Sequence, residues 1–476
     1  MASADGAAAT PPAAGSSPQK ISYATVIKQA DVRVLALSRA ALKLGMATLS
    51  YGVMVHLARL DASQMQISLV GATSYIAALL FGAQGGLLAD SVAKRRAIAA
   101  GCFAQAALCF LVPIIFGESV SDMVLLMFLV SALSQVISPG IKAVVALVST
   151  SAEMATTGAL VSVIGSTASA LGSSILAPIL IKIGGIDLVF NICSVIFVLG
   201  AFRAGKLPDE TGKLTLLEAR RTIRWKPEGL SPRSMATWIR GNQGVSSIIL
   251  LGAIVTAVFE SFSTMVPVYV RDVLDADPAN SVYIFSLASI GFLIGAIGGP
   301  WLIARWGERR TMVIAVFTIS ASMVMFGLVG VLAPILAPIS PLRLFELFGI
   351  EINDKVLAAS VIAIPANFGS SISSACTQVF VNRTVPVAAQ STTFGLQEVQ
   401  KNLLNTVAAL GVGVLSVFLP VEVVFLLTPL IVVWPVLRLV KLSHQLGARE
   451  PMTTGDAWRS LIGEQRAPAV AGGATS

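Results

Sequence analysis

Charge is what this chain has least of. Asp, Glu, Lys and Arg make up 12% of its 476 residues, against about 25% in an ordinary soluble domain. So few charges cannot cover a water-facing surface of that size. Histidine occurs twice, at His56 and His444, too few and too far apart for a metal site or a catalytic triad. No Gly-x-x-x-x-Gly-Lys-Ser/Thr segment is present, so the chain has no such cradle for nucleotide phosphates. Its four cysteines, Cys102, Cys109, Cys193 and Cys376, fall in apolar runs with no paired or metal-like spacing. They read as small hydrophobes rather than a disulfide framework. An enzyme is not expected, and no cofactor site is expected either. The first 18 residues lack the basic start and apolar middle of a secretory signal, and read as a disordered tail.

What fills the space left by charge is hydrocarbon: 55% of the residues are hydrophobic and mean hydropathy is +0.82. A bilayer crossing needs roughly 20 apolar residues. Runs of that order extend from Val34 to Leu57, Ile67 to Ala89, Ala97 to Phe116, Met123 to Val148, Gly158 to Ile183 and Ile186 to Phe202. After a polar break come Val245 to Val270, Val282 to Ile303, Thr311 to Leu332, Val356 to Phe380, Thr393 to Phe418 and Val421 to Leu439. The expectation is an all-α membrane protein with twelve transmembrane helices in two pseudo-symmetric six-helix bundles. The divisions are a tail at 1–32, a bundle at 33–203, a linker at 204–244, a second bundle at 245–442 and a tail at 443–476.

Basic residues orient the spans, because Lys and Arg are retained on the cytoplasmic side. Of the 33, 24 fall in segments on the side of both termini. Five lie opposite (Arg59, Lys182, Arg271, Arg343 and Lys355), and four lie within spans. Both termini are therefore expected in the cytoplasm. The formal charge of +8 reads as an inner-leaflet feature rather than a nucleic-acid surface. The sequon Asn382-Arg383-Thr384 falls on the inner side and reads as chance. In the linker, Leu216, Leu217, Arg220, Arg221, Arg224 and Trp225 fit a surface helix or a solvated basic loop.

The chain also repeats itself. Gly85-Gly86-Leu87-Leu88-Ala89-Asp90-Ser91-Val92-Ala93-Lys94-Arg95-Arg96 and Gly299-Pro300-Trp301-Leu302-Ile303-Ala304-Arg305-Trp306-Gly307-Glu308-Arg309-Arg310 are the same kind of basic turn, 214 positions apart. Further on, Thr157-Gly158 meets Phe394-Gly395 at an offset of 237. An extra outer loop around Ala333 to Lys355 accounts for the growth. Parallel halves of this kind form a cargo site at the midplane between them.

The first basic turn resembles the signature of the major facilitator superfamily, Gly-x-Leu-x-Asp-x-x-Gly-x-Arg-Arg/Lys, at Gly86, Leu88, Asp90, Arg95 and Arg96. Ala93 stands in place of the family glycine and Ser91 in place of its basic residue. The second copy keeps Gly307, Arg309 and Arg310 but has Ala304 at the acidic position. A second stretch, Val266 to Leu274 followed by Gly291, Gly295 and Gly299, is similar to the seventh-to-eighth helix region of bacterial siderophore and macrolide exporters. The resemblance implies a monomeric carrier that alternates access to a central cavity. It also implies that the residues of the two turns latch the halves together when the carrier faces outward. The other reading of the turns is that their cations merely fix topology.

Polar groups inside spans are costly and mark function. Arg39 and Lys43 share a face of the first span. Glu260, in the seventh, lies at the depth of Lys43 by the repeat, so a Lys43–Glu260 pair that opens on protonation or substrate binding is expected; a permanent packing contact or an outward-leaning Glu260 is the alternative. Lys142, Gln135, Asn367 and Gln378 form a second candidate set. The eleventh span adds Gln397, Glu398, Gln400, Lys401, Asn402 and Asn405, with Glu398 and Lys401 spaced to pair. The inventory leaves two surplus positive charges, which favours anionic or polar cargo. Gly291, Gly295 and Gly299 recur every four residues, a close-packing stripe. Pro178 interrupts the fifth span at a place similar to the Gly-Pro motif of antiporters, without its glycine.

Three functions stay open: proton-coupled export of a small amphiphilic or anionic molecule from a plasma (inner) membrane, import or facilitation of a metabolite or lysolipid, and a non-transporting receptor on a carrier fold. The expected partners are a small-molecule substrate, protons and the lipid bilayer, with no nucleic acid.

Overall fold

The computed structural model describes residues 23–117, 119–150, 153–208, 243–349, 351–384, 387–430 and 433. Most of the expected tails, the linker and the last part of the twelfth span therefore lie outside the described residues. Among the described residues nine helical stretches are long and apolar enough to cross a membrane. One of them, Thr156–Ala204, is 49 residues long and its backbone leaves the helix at Gly184 and Gly185, so it makes two crossings. Lys94–Phe116 and the shorter Val421–Leu430 bring the crossings to the expected twelve.

In chain order the crossings are α1 (Ala30–Arg59), α2 (Gln64–Ser91), α3 (Lys94–Phe116), α4 (Val120–Val148), α5 (residues 154–183) and α6 (residues 186–204). The second half holds α7 (Gln243–Asp272), α8 (residues 281–306), α9 (residues 308–327), α10 (Asp354–Thr384), α11 (Val387–Phe418) and α12 (Val421–Leu430). The start of the described chain and both basic turns lie on one face, called here the turn face. The opposite face is the loop face.

Local chemistry sets the helix boundaries. At the start of α2, the Ser63 hydroxyl accepts from the Gln66 amide while the Gln66 side chain accepts from the Ser63 amide, a reciprocal cap. Ser119 and Asp122 do the same for α4. The two basic turns, alike in sequence, are built differently. Gly307 sits at φ 80°, ψ 161°, where the chain passes from α8 directly into α9 with no loop between them. Only glycine takes that conformation readily. In the first copy, where Ala93 replaces the glycine, the chain turns through an extended Val92 (φ −100°, ψ 151°) instead.

Backbone contact at small residues closes each bundle. A Cβ at Gly85 of α2 would fall on the Gln135 carbonyl of α4. In the second half the comparable close approach is at Gly291 of α8, eight positions before Gly299, the repeat equivalent of Gly85; a Cβ at Gly291 would fall on the Ile364 carbonyl of α10. Gly295 approaches the Phe368 carbonyl in the same groove, so the four-residue glycine stripe is a helix-packing seam there. Gly299 has looser surroundings, with Ala375 at 3.6 Å.

Pro178 does not break α5. The helix accommodates it with a π turn at Gly172–Leu176, which absorbs the hydrogen bond that a proline cannot donate. At that turn Gly172 lies against the Leu44 carbonyl of α1. The extra segment after α9 is largely helical rather than an open loop: Val329–Leu336, then 3-10 turns Ala337–Ile339 and Pro341–Phe348. Lys355, just beyond it, bonds Asp275 at 2.6 Å and the Val273 carbonyl at 3.1 Å, tying this segment to the turn between α7 and α8.

Candidate functional site

The two halves are bolted together at the loop face. Arg59, at the end of α1, grips Asp277, before α8, with two parallel bonds of 2.6 and 2.9 Å, and bonds the Ile181 carbonyl of α5 at 2.8 Å. Arg271, at the end of α7, reaches the other way to the carbonyls of Ala58 at 2.9 Å and Ala62 at 3.2 Å. Lys182 bonds Asn280 at 3.3 Å and lies over the Tyr283 ring. Beneath them Tyr51 of α1 meets Phe285 of α8 edge to face, 5.1 Å between centroids. Burial alone would push the Asp277 carboxyl up, but the hydrogen bonds from Arg59 and the Ala279 amide, with the charges of Arg59 and Lys182, hold it below the usual aspartate range.

Toward the turn face the halves part around a chamber of about 700 Å³. Arg39 of α1, Lys142 of α4, and Gln397, Glu398 and Lys401 of α11 line it, with Thr256 and Thr377. A second chamber of about 240 Å³ continues from it toward mid-membrane. The two share Arg39, Glu398 and Lys401, and the second adds Lys43, Gln135, Asn402, Tyr75 and the hydroxyls of Ser74, Ser131, Ser134 and Ser138. The small hydroxylated residues leave room, and their oxygens keep the walls polar. Arg39 donates to Ser138 at 3.2 Å.

Most of the candidate residues from the sequence thus come together: Arg39, Lys43, Gln135, Lys142, Gln397, Glu398 and Lys401, with Asn402, face one continuous space. Two expected pairings do not form. Lys43 makes no ion pair with Glu260; the charges acting on it are Arg39, Lys401, Glu398 and Lys142. Equal depth on pseudo-equivalent helices does not bring their heads together. Glu260 instead accepts from the Tyr75 hydroxyl of α2 at 3.4 Å. The fully buried Asn405 lies beside Tyr75, with neither amide atom in a hydrogen bond of ordinary geometry. Glu398 and Lys401, three apart on α11, make no ion pair either; Glu398 acts across the chamber on Arg39 and Lys43.

Asn367 stands apart from the chamber. Its amide donates to the Ala363 carbonyl one turn back at 3.1 Å, and it borders an apolar pocket of about 40 Å³ under Phe262, Tyr269 and Phe425. The Gln378 side chain lies outside the described residues, as do the side chains of Asp90 and Arg309. Of the remaining turn residues, Gly86 lies in α2, Arg96 and Gly307 are exposed, and Arg95 and Arg310 are engaged by neighbours. At the turn-face ends of α1 and α5, Gln29 bonds Glu153 at 3.0 Å. Hydrogen bonds from Thr150 and then Gln29 hold the Glu153 carboxyl below the usual glutamate range.

Sequence reasoning missed the Arg59–Asp277 clamp and the Tyr75 contact. Arg59 was visible only as a cation on the sparse side, and its partner is 218 positions away. The available signal was that Asp277 and Ser63, both caps of the segment that follows, are separated by the repeat offset of 214.

A bilayer-spanning pair of six-helix bundles, bolted on one face and enclosing a charged chamber open toward the other, is the architecture of a membrane carrier. The chain belongs to the Major Facilitator Superfamily, whose family model matches residues 35–409. Among solved structures it is similar to the nucleoside transporter NupG (13% identity, 86% of this chain and 98% of that one, TM-score 0.61). It is also similar to the POT family transporter PepTSo (13%, 92% and 99%, TM-score 0.62). A third is a bacterial homolog of the human lysosomal transporter Spinster in an inward-facing, occupied conformation (13%, 84% and 83%, TM-score 0.57). Among curated proteins none matches by sequence. The chain is a multi-pass membrane transporter of this family and not an enzyme.

Proposed function

We propose that this carrier exports a small anionic organic molecule by alternating access, driven by protons, from the cytoplasmic side of a plasma (inner) membrane. The observation that carries this reading is the chamber: it is lined by Arg39, Lys43, Lys142 and Lys401, none of which has a carboxylate within ion-pair distance among the described residues, and it is closed by the clamp at the loop face. The excess of Lys and Arg on the turn face supports assigning that face to the cytoplasm. The chamber then faces inward, where an exporter loads. The cationic lining favours the anionic cargo class over the amphiphilic drugs and siderophore-like compounds that the α7–α8 resemblance suggested.

In this reading the first bundle is residues 33–203 and the second 245–442, joined by the linker at 204–244, and the carrier works as a monomer. Asp90, Arg95, Arg96, Arg309 and Arg310 reunite the turn face when the clamp opens. Glu260 is the proton carrier. It lies where α2, α7 and α11 meet, and it has a hydroxyl rather than a cation for a partner. Protonation there removes the charge that Tyr75 holds and loosens a contact between the two halves.

Flux in proteoliposomes tests this. Anion movement that follows an imposed proton gradient and stops when a protonophore collapses it is the expected result. Movement down the anion's own gradient that ignores the protonophore indicates a facilitator. Flux equal to that of empty vesicles for every compound tested indicates a receptor.

A further inference from the structure

The charges around the chamber do not balance, and the imbalance has a size. Four cations, Arg39, Lys43, Lys142 and Lys401, line the chambers with one carboxylate, Glu398; the second carboxylate nearby, Glu260, lies behind the lining Tyr75 that donates to it. Arg39 has a neutral partner in Ser138, and the three lysines have no hydrogen-bond or ion-pair partner among the described residues of the walls. Unpaired charge at membrane depth is expensive. Two negative charges are missing.

The two chambers differ in what they offer. The smaller is lined by Lys43 and Arg39 of α1, the hydroxyls of Ser131 and Ser138 on α4, and Lys401 of α11 from the other half, in about 240 Å³. This is a pocket of donors for a compact oxyanion. The larger adds Lys142 and the Gln397 carbonyl oxygen, which is buried without a donor. It therefore suits the rest of a cargo that carries hydroxyl or amide hydrogens. Among the described residues, the aromatic-lined pocket beside Asn367 holds about 40 Å³, far below the roughly 300–1,000 Å³ of drug-sized sites.

We propose that the cargo is a hydrophilic dianion, a phosphate monoester or a dicarboxylate, with one oxyanion seated between Lys43, Arg39 and Lys401. The proposal rests on the carrier reading above and specifies its cargo. A dianion neutralises the chamber while both carboxylates stay ionised. A monoanion leaves one charge unmatched, and a cation adds to the repulsion.

The test uses the full-length protein in nanodiscs of neutral lipid at fixed ionic strength. Calorimetric titration is run with succinate, glucose 6-phosphate, lactate, glucose and ethidium. At least one of the two dianions binds about tenfold or more tighter than lactate, glucose or ethidium, and the choice between succinate and glucose 6-phosphate identifies carboxylate or phosphate. Lys43→Gln and Lys401→Gln each weaken that binding by about tenfold or more, the scale of one charge-assisted bond. Lys206→Gln, an exposed cation away from the chamber, leaves it unchanged and controls for net charge. Each variant's elution as a single symmetric species guards against misfolding. No response to either dianion overturns the proposal, and so does dianion binding that survives both chamber substitutions. Flux assays separate the two levels. Vesicle flux of glucose or ethidium with no dianion flux overturns the cargo class and leaves the carrier standing. Tight dianion binding without any flux leaves the site standing and removes the carrier reading.

Discussion

Asp61 and Asp275 hold the same left-handed backbone conformation, φ 55° and 50°, in loops 214 positions apart. Each is the residue at which the chain reverses after the first helix of its half, and these are the described non-glycine residues with positive φ. Aspartate tolerates this conformation better than most residues because its short side chain bonds locally. The repeat is thus a duplicated three-dimensional turn as well as a duplicated sequence pattern, and the pair of turns brings Arg59, Asp277 and Arg271 to one face.

The clamp built on those turns has a defined pH range. The folded Asp277 carboxyl titrates below its ordinary value. Its contribution to closure is therefore fully present above the ordinary aspartate pKa, about 3.9, and is lost as pH falls through the lower folded value. Loop-face accessibility, read by maleimide labelling of an introduced Ala276→Cys and normalised at each pH to a fully exposed cysteine because only the thiolate reacts, stays constant from neutral pH down to about pH 5. Asp277→Asn raises labelling across that whole range. Labelling that climbs between about pH 7 and pH 5 with the clamp intact would contradict this assignment.

Glu260→Gln keeps the Tyr75 contact in size but removes the titrating group. Substrate exchange across vesicles with cargo on both sides continues at a comparable rate, while uphill movement driven by a proton gradient falls by at least about tenfold, the low end of what loss of an acid–base group costs. Unchanged gradient-driven transport in this variant would exclude Glu260 as the proton carrier.

The α8–α10 seam separates two glycines seven positions apart. Gly291→Val drives a side chain into the Ile364 carbonyl and costs about 1–3 kcal/mol or more in overpacking. It shows up as a large loss of folded yield and a lowered Tm. Gly298→Ala meets nothing within 4 Å and leaves Tm within about a degree or two, the range expected of a neutral surface change.

Gly307→Ala isolates backbone strain from packing, because the site has open space around it and a conformation that only glycine takes readily. The expected cost is about 1–3 kcal/mol, seen as a drop in Tm. Ala93→Gly at the corresponding position gains nothing of that size, since the first turn runs through extended backbone. Equal effects at the two positions would mean that the turns share one geometry after all.

Much of the fold was legible from the chain. The break between the fifth and sixth spans falls at Gly184 and Gly185, where the apolar runs stop. The insertion that lengthens the second half lies between α9 and α10, where the offset grows from 214 to 237. The polar residues of spans one, four and eleven were also legible as a set, because a charge within hydrocarbon stands out against its neighbours. Pairings were not. Lys43 and Glu260 share a depth yet do not meet, because side-chain direction depends on how α1 and α7 are rotated against one another; Glu398 and Lys401 share a helix face, yet Glu398 acts across the chamber on Arg39 and Lys43 instead.

Sequence by itself determined the solvent, the number of crossings, the duplication and the inventory of buried charge, since each follows from composition or from spacing along one helix. Tertiary structure alone decided which of those charges share a chamber, that Glu260 faces Tyr75, and that Arg59 locks onto Asp277 from 218 positions away. Contacts between helices depend on rotations and tilts that no single span encodes. They are set when close approaches such as Gly85 on Gln135 and Gly291 on Ile364 fix each bundle as a unit.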